Sequence, residues 1–162
     1  MKKQTFFVLL VAFVLALAAC KRNDPDANYD FNKAVMCDSL VVGENGTTLT
    51  FYLDIDNHLD TVDASKTHII QSVLAIAYID GVPYKKILAT ADPLYTSQAG
   101  QYISFDNEEN VLVSDCPFLN TEHDTKISLV FTEEAFQNSN VSISATGYDQ
   151  NGLKTMTVTE MK

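Results

Sequence analysis

The chain reads as an all-β protein, an antiparallel two-sheet sandwich over residues 35–162. Three observations predict this. Leu49, Phe51, Leu53 and Ile55 alternate with Thr48, Thr50, Tyr52, Asp54 and Asp56, the period of two expected of a strand with one face in a core. Asn45-Gly46, Asp80-Gly81 and Asn151-Gly152 each stand between apolar runs, where such dipeptides supply the positive-φ positions of a type I′ hairpin turn. After residue 34 no segment keeps helical periodicity over three turns.

The strands follow in order. Residues 35–42 form the first, and Asn45-Gly46 turns it into 48–56. Residues 73–79 are almost wholly apolar, as a central strand would be. Asp80-Gly81 turns them into 82–89. Short strands are expected at 102–105, 111–113 and 126–131. Residues 132–136 read as one helical turn, with Thr132 as N-cap and acids at its start. Residues 141–148 alternate again, and Asn151-Gly152 turns them into 153–161. Seven to nine strands suit a two-sheet sandwich of immunoglobulin-like or fibronectin-like topology. A barrel is the competing architecture. The absence of Trp and the wide Cys37–Cys116 spacing fit antibody-type domains poorly.

Residues 1–19 have a different character. Lys2 and Lys3 precede an uninterrupted apolar run over 6–18, 13 residues and short for a membrane span. The run ends in Leu17-Ala18-Ala19-Cys20. An aliphatic residue, two small residues and a Cys at this place resemble the lipobox of bacterial lipoproteins. The resemblance implies a diacylglycerol on the Cys20 thiol, cleavage before Cys20 and acylation of the new amine. Several acyl chains hold a protein firmly, since each buried CH₂ is worth roughly 0.8 kcal/mol. Residues 20–34 are then the lipidated Cys and a polar tether containing Pro25. Lys21 stands where enterobacterial lipoproteins carry an Asp that retains them at the inner membrane. The basic pair Lys21-Arg22, followed by the spaced acids Asp24 and Asp26, resembles the export signals of Bacteroides-type surface lipoproteins. The expected location is the outer membrane, on its cell-surface or periplasmic face.

The formal net charge is −10. Loss of Lys2 and Lys3 leaves nine cations against 21 acids, a mature charge of −12. That balance excludes non-specific nucleic-acid binding and keeps a domain soluble beside an anionic membrane. With Cys20 acylated, Cys37 and Cys116 remain as a pair in an oxidising compartment. A disulfide closing about 80 residues is worth on the order of 4 kcal/mol by the chain-entropy model. Two buried free thiols are the alternative.

No nucleophile elbow, His-Glu-x-x-His, Cys-x-x-Cys or phosphate loop occurs. His58, His68 and His123 fall in polar, loop-like stretches. Asp54, Asp56, Asp60 and Asp63 form the densest acidic cluster, but the glycine and terminal Glu of a calcium loop are missing. These acids, like Asp106, Glu108 and Glu109, are expected to be solvated. No metal or cofactor is expected. Tyr52, Tyr84, Tyr95 and Tyr102 invite a sugar-stacking reading, weakened by the lack of Trp. Asp38-Ser39-Leu40 and Asp60-Thr61-Val62 resemble the O-glycosylation sites of Bacteroides-type exported proteins. Thr61, in a loop, is the better candidate.

The functional expectation is a lipid-anchored envelope module that binds or assists other envelope proteins or a glycan, without catalysis. A fimbrial-type assembly subunit is the first alternative. It is weakened because such proteins mature by cleavage after an Arg, and Arg22 is the only one here. An enzyme is the second alternative.

Overall fold

The computed structural model describes residues 29–162. They form two sheets. The small sheet has the order β1-β2-β7, with β1 at Val35–Val42, β2 at Thr48–Ile55 and β7 at Thr125–Thr132. The large sheet has the order β5-β6-β4-β3-β8-β9. Its strands are β3 (Ile70–Ile79), β4 (Val82–Thr90), β5 (Tyr102–Phe105), β6 (Glu108–Asp115), β8 (Val141–Asp149) and β9 (Val158–Met161). The two-sheet, all-β expectation holds. One strand pair departs from it, because β6 runs parallel to β4. The three-plus-six division also differs from the four-plus-three layering of an immunoglobulin constant-type domain.

The alternation in β2 is realised as read. Leu49, Phe51, Leu53 and Ile55 are buried, while Tyr52 faces solvent. Across β2, Ile127, Leu129 and Phe131 of β7 continue the same inner layer. They meet Val73, Ala75 and Ala77 of β3 and Ile143 and Ala145 of β8. Phe136, in the 3₁₀ turn Glu134–Gln137, plugs this core. Full burial of a side chain such as Phe51 contributes about 3 kcal/mol.

The near-continuous apolar run of β3 has a second cause besides its central position. Leu74 and Ile76 point to the opposite face, into a separate cluster with Leu88, Val111 and Tyr148. Tyr95, Ile103 and Phe105 cover that cluster. They come from the short helix α1 (Pro93–Thr96) and β5, so the β5–β6 end of the large sheet curls over that sheet's own outer face. Asp106 and Asn107 at its tip have φ of 48° and 65°, a two-residue turn made without glycine. Asp106 accepts from Tyr148 Oη at 2.6 Å and from Lys154 Nζ at 2.6 Å. Burial raises the Asp106 pKa, but the bonds from Lys154 and Tyr148 outweigh it and hold the carboxyl below the ordinary range.

Several local expectations are corrected. Asp80-Gly81 has positive φ at both positions, as a type I′ turn requires. At the other two dipeptides only Gly46 and Gly152 do. There the chain closes through Gly46 N to Gly43 O (2.8 Å) and Gly152 N to Asp149 O (3.0 Å). The turn after β7 is 3₁₀ rather than α, and Glu133, not Thr132, caps it. Glu108 and Glu109 belong to β6 rather than to a loop. Residues 153–157 are not strand. Residues 29–34, expected in the tether, pack on the domain, and Ala34 is fully buried.

Candidate functional site

The most chemically differentiated region is the end of the sandwich where residues 29–34 join it. Asp30 caps the 3₁₀ turn Phe31–Lys33 by accepting from Asn32 N at 3.1 Å. Ala34 O then accepts from Asp56 N at 2.8 Å. This places Tyr29 and Phe31 against the β2–β3 loop. In that loop His58 and His68 bond reciprocally through their backbones at 2.9 and 2.8 Å. Tyr29 stacks on the His58 ring with centroids 4.6 Å apart, and Phe31 stacks on His68 at 4.5 Å.

His68 Nδ1 is 2.8 Å from Asp149 Oδ2, and the Asp149 side chain is fully buried. Asp149 Oδ1 accepts from Asn151 N and Leu153 N, both at 2.9 Å. One carboxylate thus orients an imidazole and caps the β8–β9 turn. Asn57, also buried, accepts from Ile70 N at 2.8 Å and donates to His123 O at 3.1 Å. Three loops and the N-terminal segment are thereby tied together.

A carboxyl pair lies beside this clasp. Burial, then the neighbouring Asp124 carboxyl, raise the Asp56 pKa above the ordinary carboxylate value. Burial, then the charges of Asp56 and Asp149, push the Tyr29 phenol pKa above its ordinary value. Tyr29 Oη donates to Asp56 O at 3.3 Å. Asp56 and Asp124 open onto a cleft of about 620 Å³ whose wall also carries Met36, Asp54 and Lys126. Lys126 binds Asp54 at 2.8 Å and Asp38 at 3.7 Å. Three carboxylates against one ammonium make a wall that favours neutral or cationic groups over anions.

The structure places the other singled-out residues as follows. Cys20 lies outside the described residues. Cys37 and Cys116 are free thiols, which corrects the expected disulfide. Cys37 faces Glu160 of β9, whereas Cys116, past the end of β6, borders a groove with Ala89 and Ile127. Cys37 is on β1 of the small sheet, and Cys116 lies past β6 of the large one. Burial, then Glu160, push the Cys37 thiol up to about 11. Burial raises Cys116 as well.

Thr61 is exposed in the β2–β3 loop, while Ser39 lies in β1. Asp60 accepts from Asp63 N and Val62 N at 2.8 Å each, and those bonds lower its pKa. Asp63 caps Ser65 and is lowered by that residue's hydroxyl and amide. The acidic loop thus spends its carboxylates on its own turns. Among the described residues no three His, Cys, Asp or Glu side chains converge as metal ligands. His123 is exposed. Tyr52 faces solvent from the small sheet, Tyr84 and Tyr102 are exposed, and Tyr95 is half-buried under the β5–β6 hairpin.

Sequence reasoning missed Tyr29, Phe31 and Asp149 as partners of the two histidines. No local pattern marks them, because loop closure and a contact between β3 and the end of β8 assemble the group. No family model matches the chain, and no curated protein or solved structure matches it significantly.

Proposed function

We propose that this chain is a lipid-anchored envelope protein whose β-sandwich is a binding or accessory module. The observation that carries the reading is Leu17-Ala18-Ala19-Cys20, placed directly after a charged and then apolar leader. The position of Tyr29 supports it. Only residues 21–28 separate Cys20 from the packed segment, and eight residues span at most about 28 Å. A domain so anchored stands close to the bilayer on the clasp end. The β1–β2 turn, the Asp80-Gly81 turn and the 3₁₀ turn Glu134–Gln137 then face away from the membrane. The outer face of the small sheet stands sideways, where Met36, Val41, Tyr52 and Val130 are each at least 40% exposed among Ser and Thr. An aromatic ring among hydroxyls and small apolar side chains suits a glycan face or another envelope protein.

Fractionation of cells carrying the wild type and Cys20→Ala tests the reading. The wild type should need detergent for extraction and form cross-links to envelope neighbours. The variant should escape acylation, accumulate as uncleaved precursor and lose the cross-links. Normal processing of the variant with continued partition into detergent overturns the anchor, and a wild type with no cross-linked neighbour overturns the binding role.

A further inference from the structure

We propose that the free edge of β7 accepts an extended segment of a partner protein as a fourth strand of the small sheet. β7 ends that sheet, and β2 satisfies only one of its sides. Glu133 N donates to Thr47 O at 2.9 Å, while Gly43 N takes Thr48 O at 2.7 Å on the opposite side of β2. By the alternation of an antiparallel ladder, the odd positions Ile127, Leu129 and Phe131 bond β2. The backbone groups of Lys126, Ser128, Val130 and Thr132 therefore point outward along the edge. Lys85 Nζ reaches Thr132 O at 3.5 Å. Among the described residues, no other strand pairs with the edge from Lys126 to Val130.

Edge strands usually carry devices against pairing. β1 has a register shift between Cys37 and Ser39, and β5 and β9 are only four residues long. β7 pairs with β2 over eight consecutive residues without a bulge and contains no proline. Its one charge, Lys126, is drawn toward Asp54 of β2 and Asp38 of β1, away from the edge. A groove of about 270 Å³ runs beside the edge. Ile127 and Leu129 form one wall, Ala89 and Cys116 the floor, and the exposed ring of Phe118 the rim.

The shape of the groove selects the occupant. The large sheet continues past β4 into β6 and β5, so a second copy approaching edge to edge brings its own β6 and β5 into the same space. The mature charge of −12 opposes that approach as well. A single extended strand meets neither obstacle. Its inward residues are apolar and of modest size to fill the groove, and its outward residues are neutral or basic. Backbone bonds supply affinity and the groove supplies side-chain selection. This deepens the binding-module reading by naming the class of partner. Failure of Cys20 acylation leaves the measurement below unaffected, so the two claims fail separately.

Amide hydrogen exchange on the detergent-solubilised full-length chain tests it. The probe is the peptide Lys-Thr-Val-Thr-Val-Thr-Val-Thr-Val-Thr-Lys, compared with the same peptide N-methylated at its valines. The plain peptide should slow exchange at Ser128 and Val130 at least ~10-fold, and the methylated one should not. Ser128→Pro removes an N–H that β2 does not use. It should abolish binding while β2 amides stay protected. Protection confined to another edge, equal binding of the methylated peptide, or full binding by Ser128→Pro overturns the proposal. So does concentration-dependent protection of Ser128 and Val130 without peptide, which assigns the edge to a second copy. If Ser128→Pro fails to fold, the methylated peptide decides alone.

Discussion

Gly147 sits in β8 directly against Val35 of β1. A Cβ there overlaps Val35 Cγ2 and meets Thr155 Cγ2 at 3.2 Å and Ile70 Cδ1 at 3.3 Å. All three neighbours are themselves buried. Gly147→Ala should therefore lower stability by about 1–3 kcal/mol, read as a fall in the urea midpoint. Asp56 gives the opposite sign. Its folded pKa is raised, so folding favours the protonated acid, and stability declines as pH rises from the unfolded pKa through the folded one. Above that window the ionised carboxylate still repels Asp124. Tyr29 and Ala34 bond only the Asp56 backbone, so Asp56→Asn leaves those contacts intact. The variant should be more stable at pH 7, by about 0.5 kcal/mol. The gain should vanish below the window, and thermal melts at the two pH values check it.

Among the elements, the clasp formed by His68, Asp149 and the β8–β9 turn carries the sharpest consequence. Asp149→Ala deprives Asn151 N and Leu153 N of their acceptor and leaves His68 without its carboxylate. The expected cost is about 3 kcal/mol, seen by chemical denaturation. The two thiols are free, Cys37 on β1 of the small sheet and Cys116 past the end of β6 of the large one. Denatured, unreduced Cys20→Ala protein should therefore yield two free thiols. In the native protein Cys37 should alkylate slowly at pH 7.5 and faster toward pH 11. Finding no free thiol contradicts the placement of Cys37 and Cys116 described above. The strands were largely legible in the sequence because burial imposes period two on them, most plainly in residues 48–55. The clasp was not, since its members lie at 29, 31, 58, 68 and 149 and only tertiary closure unites them. The Asp106-Asn107 turn escaped notice because it lacks the glycine that usually marks one. Parity of cysteine count predicts a bond, whereas both thiols are free, because pairing depends on where tertiary packing puts them and not on their number.

Across the whole molecule, the sandwich has two unequal ends. One end carries the N-terminal segment, its stacked rings and the acidic cleft. The other carries the β1–β2 and β3–β4 turns and the C-terminal strand. The side beyond β7 holds an open edge, while the opposite side is closed by packing of β1 against β8 and β9. The proposed anchor at Cys20 would give this asymmetry a direction, with the clasp toward the membrane and the open edge lateral. The most direct test is mass spectrometry of the N-terminal peptide of the full-length chain purified from its own envelope. The expected peptide begins at Cys20 and carries a diacylglycerol on sulfur with an acyl chain on the new amine. A peptide beginning upstream of Cys20, or beginning at Cys20 with an unmodified thiol, contradicts the account.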